Sequence, residues 1–130
     1  MTISFNKRNN FNNPYQGGDK RVLCVCSAGL LRSPTAAFVL QKKYGFNTRA
    51  AGVDERYALV LASEELVSWS HEIVFMEESH KIDLLFMWPM WEAHIDRCSV
   101  VLNVPDEYAR MDERLQQRIL NAYKDTGYEE

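Results

Sequence analysis

The chain has 130 residues and a formal net charge of −3, with 46% hydrophobic and 25% charged residues and a mean hydropathy of −0.35. This length suits one domain with a moderate core, and no apolar run approaches the roughly 20 residues that span a bilayer. The polar N-terminus lacks the apolar segment of a signal peptide, so we expect a soluble protein of the cytoplasm with no membrane partner.

The charge is unevenly distributed along the chain. The first 21 residues carry four basic side chains against one acidic side chain, so the remainder carries −6. An acidic body argues against a dedicated nucleic-acid binder. Residues 1–20 are rich in Asn and show little periodicity. We predict that they form a polar, flexible N-terminal arm and that residues 21–130 form one folded domain.

From Arg21 onward, short apolar segments alternate with helical patterns. Strands are predicted at 22–26, 46–51, 72–76 and 99–104, and helices at 35–44, 58–69, 77–88 and 112–124. Gly45 is expected to end the first helix, and Ser33 and Asp112 are candidate N-caps. In the third helix, Ile82, Leu85 and Phe86 are expected to face inward.

This alternation predicts an α/β domain, a three-layer sandwich with a parallel sheet covered on both faces by helices. Right-handed crossovers place all strand C-terminal ends on one edge, where open α/β sheets bind ligands. Cys26, Met76–Glu77 and Pro105–Tyr108 each follow a predicted strand, so three loops should converge at that edge.

The segment from Cys26 to Pro34 is the strongest candidate site. A cysteine, a five-residue loop and Arg32 lie between a strand and a helix, where loop amides and the helix N-terminus favour anions. The same groups favour a thiolate, and an arginine can hold a phosphate-like dianion with two hydrogen bonds. Gly29 would let the loop turn its amides inward.

Other residues complete the candidate site. Asp106 follows a strand on the same edge and is the preferred proton donor, with Glu107 as its competitor. Ser33 could donate a hydrogen bond to the thiolate, and Tyr108 could stack on an aromatic substrate.

The remaining cysteines and the histidines carry weaker signals. Cys24, Cys26 and Cys98 form neither a disulfide framework nor a usual zinc spacing, so no metal site is predicted. Surface roles are expected for His71, His80 and His94, although His80 follows the third strand at the functional edge and could line the pocket instead. The apolar segment 84–91 is expected to pack in the core rather than to form a binding surface.

The chain resembles the low-molecular-weight protein tyrosine phosphatases over roughly residues 21–124, most of all a small branch with a Pro-Asp-x-Tyr acid loop. The resemblance rests on four segments, which are Val22 to Pro34, Ala50-Ala-Gly52, Phe75-Met-Glu-Glu-Ser-His80 and Val104-Pro-Asp-Glu-Tyr108. It implies a flavodoxin-like sheet of four parallel strands in the order 2-1-3-4, with the phosphate loop after strand 1.

The resemblance also implies roles for individual residues. Cys26 would be the nucleophile, Arg32 the phosphate clamp, Ser33 the stabiliser of the thiolate and Asp106 the general acid. The remaining loop and rim positions would bind phosphate or substrate; they are Ser27, Ala28, Gly29, Leu30, Leu31, Tyr57 and Tyr108. The implied substrates are phosphotyrosine proteins or small aryl phosphates, with no cofactor.

The chain departs from the family pattern at three places. Leu31 stands where the family has a second loop cysteine, so Cys24 would have to protect the nucleophile by a disulfide. Glu107 stands in place of proline in the acid triplet, and the loop from Asp54 to Tyr57 lacks the usual tryptophan. Two alternatives to a phosphatase stay open, namely a phosphate- or phosphoprotein-binding module and a thiol-coupled arsenate reductase.

Overall fold

A computed structural model of the chain describes residues 20–27 and 31–127. The predicted N-terminal arm therefore lies outside the described residues, apart from Lys20. The strands are β1 (Arg21–Cys26), β2 (Asn47–Gly52), β3 (Glu72–Phe75) and β4 (Ser99–Val101). The helices are α1 (Arg32–Tyr44), α2 (Glu64–Trp69), α3 (Glu78–Met87), α4 (Glu92–Cys98) and α5 (Glu113–Asp125), with a 3₁₀ turn at Pro89–Trp91.

The four strands form one parallel sheet in the order β2-β1-β3-β4. In the register of the sheet, Leu23 lies opposite Arg49 on one side and Ile73 on the other. The chain crosses from β1 to β2 and then returns past β1 to β3. The parallel sheet, its strand order and its flavodoxin-like topology are confirmed.

Alternate residues of β1 face opposite cores, as strand geometry requires. Val22, Cys24 and Cys26 belong to a core shared with α1 and α5, whereas Leu23 and Val25 belong to a core shared with the other helices. Helices therefore cover both faces of the sheet, and the predicted three-layer sandwich is confirmed. Among the described helices, none combines the length and apolar composition needed to cross a bilayer.

The α1–α5 core follows helical periodicity closely. Val39 and Leu40 of α1 pack with Leu115, Ile119 and Tyr123 of α5 on the same face of the sheet. Gly45 ends α1 with a φ of 76°, and its N–H bonds to the carbonyl of Gln41. This left-handed conformation is one that glycine adopts without the steric cost that a Cβ brings.

The second core differs from the prediction in its helices. The predicted helix 58–69 begins only at Glu64, because the Ser63 hydroxyl accepts the N–H of Leu66 and caps α2 there. The preceding residues instead pair with β2, where the Gly52 N–H bonds to the Val60 carbonyl and Gly52 bridges Leu61. Helix α4 was not predicted.

Two residues of α3 expected in the core are in fact on the surface. Ile82 is 57% exposed and Phe86 is 88% exposed, whereas Leu84 is fully buried. Because apolar residues occur on several faces of this helix, the sequence pattern does not identify the face that packs against the sheet. Segment 84–91 accordingly divides between the core and the surface, since Trp88 is half-buried and Met90 is exposed.

Strand β4 is shorter than predicted and leads directly into the candidate acid loop. It ends at Val101, and Asn103 adopts a left-handed φ of 57°. The N–H groups of Leu102 and Val104 still bond to the carbonyls of Phe75 and Met76. Residues 102–104 thus continue beside β3 and deliver Pro105 and Asp106 to the C-terminal edge of the sheet.

Candidate active site

The candidate site lies where the sheet reverses its strand order. Strand β1 is flanked by β2 and β3, and the crevice at such a switch point is the usual ligand site of open α/β sheets. Cys26 ends β1, Glu77 follows β3, and Asp106 follows β4. The three loops converge there as predicted.

Cys26 and Ser33 are in direct contact. Cys26 Sγ and Ser33 Oγ are 3.2 Å apart, and both side chains are buried. The Ser33 hydroxyl also lies 3.4 Å from the main-chain oxygen of Ala51. Ser33 is therefore not the N-cap of α1: Leu31 occupies that position without a side-chain cap, and the serine hydroxyl is engaged with Cys26 and Ala51 instead. A hydroxyl in this place can donate a hydrogen bond to a thiolate.

Arg32 joins three loops through one buried guanidinium. Its Nη1 donates to the main-chain oxygen of Val104 at 2.9 Å and to the carboxylate of Glu77. Its Nε lies 3.9 Å from Asp106 Oδ1. The hydrogen bond from Arg32 lowers the pKa of the Glu77 carboxyl below its usual value. The arginine is thus held in one orientation at the start of α1, where an anion is favoured.

The expected surface position of His80 is wrong. Its side chain is only 2% exposed, and its Nε2 lies 3.2 Å from Ser27 Oγ. Its Nδ1 accepts the main-chain N–H of Glu77 at 3.1 Å, and the Glu77 carboxylate accepts the N–H of His80 in return. Burial lowers the pKa of His80, and the positive charge of Arg32 lowers it further, against the opposing effects of nearby carboxylates.

Glu77 was given no role from the sequence, and His80 was considered for the pocket only as an alternative to a surface role. The available signal was a reciprocal capping pattern, because a carboxylate precedes α3 and a hydrogen-bonding side chain occupies its third position. His80 and Leu84 are also four residues apart and share the buried face of α3.

The loop after β4 forms the other wall of the site. Asp106 is exposed and approaches Arg32, whereas Glu107 is exposed and Tyr108 is half-buried against the α1–α5 core. An open groove of about 590 Å³ separates this loop from the start of α3. Its lining includes Glu77, Asn103, Pro105, Asp106 and Arg118.

The loop from Asp54 to Tyr57, which lacks the family's tryptophan, follows residues that bond to the start of the phosphate loop. The N–H groups of Val53 and Asp54 bond to the carbonyls of Cys26 and Ser27 at 3.1 and 2.8 Å. Tyr57, on the same loop, is 64% exposed, and its role as a substrate wall remains a prediction. Leu31 is exposed, while Ala28, Gly29 and Leu30 lie outside the described residues.

The alternative that Cys24 substitutes for the missing loop cysteine as a disulfide partner of Cys26 does not fit the strand. Cys24 and Cys26 are alternate residues of β1, and such residues lie roughly 6.6 Å apart with parallel side chains. A disulfide needs Cβ atoms only about 4 Å apart. Burial, reinforced by the negative charge of Glu72, raises the pKa of the Cys24 thiol, which makes it a poor nucleophile.

Cys98 lies away from the site. It ends α4 at the start of β4, and Ser99 pairs with Ile73 near the N-terminal end of β3. Partial burial raises the pKa of its thiol. Among residues 20–27 and 31–127, no group of three or more His, Cys, Asp or Glu side chains is arranged to hold a metal ion.

No protein-family model and no curated protein matches the chain. Several solved structures, in contrast, match the chain. Wzb of Vibrio vulnificus, in complex with benzylphosphonate, is 23% identical, with a TM-score of 0.64 over 84% of this chain and 97% of that one. A low-molecular-weight phosphotyrosine phosphatase of Vibrio cholerae O395 is 23% identical, with a TM-score of 0.57 over 82% and 95% of the two chains.

A third solved structure has a different stated activity. The YwlE arginine phosphatase of Geobacillus stearothermophilus is 18% identical, with a TM-score of 0.59 over 82% of this chain and 93% of that one. These likenesses show that the chain has the fold of the low-molecular-weight phosphatases, as its sequence motifs implied.

Proposed function

We propose that this protein is a cysteine-dependent phosphatase of the low-molecular-weight tyrosine phosphatase family, acting on phosphotyrosine or other aryl phosphate monoesters. The observation that carries the proposal is the grouping of Cys26, Ser33, Arg32 and Asp106 at one switch point of the sheet. The sulfur contacts Ser33 at 3.2 Å, and the guanidinium lies 3.9 Å from Asp106. This grouping supports a nucleophile, an anion clamp and an acid that act on one phosphoryl group.

In the first step, the Cys26 thiolate attacks phosphorus and forms an S–P bond. The bond from phosphorus to the aryl oxygen breaks, and its electron pair leaves with that oxygen. Asp106 donates a proton to the departing oxygen, so the product is a phenol rather than a phenolate. Arg32 neutralises the charge on the transferring phosphoryl group.

In the second step, water hydrolyses the phosphocysteine. The ionised Asp106 takes a proton from water, the water oxygen attacks phosphorus, and the S–P bond breaks. Its electron pair returns to sulfur, and inorganic phosphate is released. The Ser33 hydroxyl, 3.2 Å from the sulfur, stabilises the leaving thiolate by donating a hydrogen bond.

The contacts favour Asp106 over Glu107 as the acid. Asp106 is the member of the pair whose carboxylate approaches Arg32, and it lines the groove next to that arginine. The same loop carries Tyr108, whose half-buried ring can pack against an aryl group. Together with Tyr57, which is exposed on the loop after β2, Tyr108 supports an aryl substrate rather than a phosphorylated aliphatic alcohol.

The test compares wild-type protein with Cys26→Ser on p-nitrophenyl phosphate and on a phosphotyrosine peptide. We expect Cys26→Ser to lower kcat by roughly a thousandfold or more, since serine is not ionised at neutral pH. Cys98→Ser is the matched control, because Cys98 lies at the other end of the sheet, and it should retain activity. Equal rates for wild type and Cys26→Ser would refute the phosphatase.

Two other results would identify the alternatives. Inorganic phosphate binding that needs Arg32, without turnover that depends on Cys26, would indicate a phosphate-binding module. Consumption of arsenate with loss of free thiols would indicate a reductase, for which Cys24 and Cys98 are poorly placed.

A further inference from the structure

The N-terminus of α3 contacts both ends of the phosphate loop. At one end, His80 Nε2 lies 3.2 Å from the hydroxyl of Ser27, the residue after Cys26. At the other end, the Glu77 carboxylate accepts a hydrogen bond from Arg32. Glu77 and His80 also hold each other through the capping box of α3. Ser27 and Arg32 are therefore linked by hydrogen bonds through His80 and Glu77, in addition to the main chain of the loop.

The capping box determines which nitrogen of His80 carries the proton. Nδ1 accepts the main-chain N–H of Glu77 at 3.1 Å, so in the neutral ring it must be unprotonated. The proton then lies on Nε2, which donates to Ser27 Oγ. Because the pKa of His80 is lowered by burial and by Arg32, the neutral form is the one expected at neutral pH.

We propose that His80, as the neutral Nε2–H tautomer, is a positioning residue that holds Ser27, the residue directly after the nucleophile, in the position that anion binding requires. The inference deepens the proposed phosphatase function and rests on it. His80 does not touch the reacting atoms in this scheme. It acts through Ser27, whose main chain follows the nucleophile directly, and through Glu77, which orients Arg32.

Two substitutions separate the two hydrogen bonds of His80. His80→Asn places an amide oxygen near the position of Nδ1, so it retains the cap of α3 but does not reach Ser27. His80→Gln places an amide N–H near the position of Nε2, so it retains the donor to Ser27 at the expense of the cap.

A positioning role and a purely structural role of His80 predict different rankings of kcat/KM for these two variants. If His80 positions Ser27, His80→Asn should lower kcat/KM about 10- to 100-fold while its Tm stays close to that of wild type. His80→Gln should keep kcat/KM within a few-fold of wild type even though its Tm falls. If activity instead follows Tm, so that Asn is the more active variant, the proposal is overturned.

His71→Asn is the matched control. The Nδ1 of His71 also accepts a main-chain N–H, that of Arg21 at 2.9 Å, but this pair lies at the opposite edge of the sheet. Its kcat/KM should equal that of wild type. In a Ser27→Ala background, His80→Asn should produce little further loss, because the acceptor of the Nε2 proton is already gone.

Two measurements decide the inference independently of turnover. Nitrogen-15 NMR of the imidazole rings should show His80 protonated at Nε2 only, and Ser27→Ala should shift that resonance. Binding of inorganic phosphate should weaken about tenfold in His80→Asn but not in His80→Gln. Protonation at Nδ1, or equal phosphate affinity in the two variants, would refute the positioning role. A wild type without Cys26-dependent turnover would refute the phosphatase alone.

Discussion

Arg32 Nη1 donates a hydrogen bond to the main-chain oxygen of Val104 at 2.9 Å, across 72 residues of sequence. This bond joins the end of the phosphate loop to the loop that carries Asp106. The arginine is buried, so its orientation depends on protein contacts rather than on solvent. Arg32, the proposed anion clamp, is therefore fixed relative to the loop of Asp106, the candidate proton donor.

Arg32→Lys should show that this geometry matters more than the charge. Lysine keeps the charge but cannot offer the planar set of donors that contacts Val104, Glu77 and a phosphate together. We expect kcat/KM on p-nitrophenyl phosphate to fall by about 100-fold or more. Arg49→Lys, an exposed arginine on β2, should change it little. A loss below tenfold in Arg32→Lys would contradict this account.

Asp106→Asn and Glu107→Gln should distinguish the two acid candidates. Removing the general acid should cost about 10²- to 10⁴-fold in kcat, and we expect this loss only in Asp106→Asn. The loss should be larger with phenyl phosphate than with p-nitrophenyl phosphate, because nitrophenolate leaves readily without a proton. Steady-state kinetics on both esters measures the kcat of each variant. A larger loss of kcat in Glu107→Gln than in Asp106→Asn would assign the role of general acid to Glu107.

The stability of the fold should decrease in mild acid partly because of His71. Burial, followed by the charges of Arg21, Lys20 and His94, lowers the pKa of His71 from 6.5 to about 4. Between these values the unfolded chain binds a proton at His71 that the folded protein does not. The contribution of His71 to the free energy of unfolding is therefore fully present above pH 6.5 and is lost as the pH falls toward 4.

His71→Asn tests this linkage, since asparagine offers an acceptor to Arg21 but does not titrate. The decrease in Tm between pH 7 and pH 5 should be smaller in the variant than in wild type. Some decrease should remain, because the pKa of buried His80 is also lowered. An identical decrease in both proteins would exclude His71 as a contributor.

Leu84 and Phe86 should respond oppositely to truncation although they are two residues apart on α3. Leu84 is fully buried in the core shared by β1 and β3, and Phe86 is 88% exposed. Leu84→Ala should lower the free energy of unfolding by about 2–5 kcal/mol. Phe86→Ala should change it by less than about 0.5 kcal/mol, as is usual for surface sites. Urea unfolding monitored by circular dichroism measures both; comparable losses would place Phe86 in an interface.

Local patterns were sufficient to predict much of the fold. The apolar segments of β1 and β3, the stop at Gly45 and the Asp112 cap of α5 each depend on neighbouring residues, and each is observed. Helix α4 was missed, and α2 was extended too far. In both segments the few apolar residues fit a helical pattern and an extended pattern equally well. Only packing against the sheet distinguishes the two conformations.

The sequence by itself determined the alternation of strands and helices and the loop from Cys26 to Arg32, because these features follow from residues close together in the chain. The tertiary structure alone decided that His80 is buried against Ser27 and that Glu77 and Val104 hold Arg32. These contacts join residues 45 to 72 positions apart. Such pairs leave no periodic trace in the sequence, since packing across the sheet brings them together only after β1, β3 and β4 have aligned.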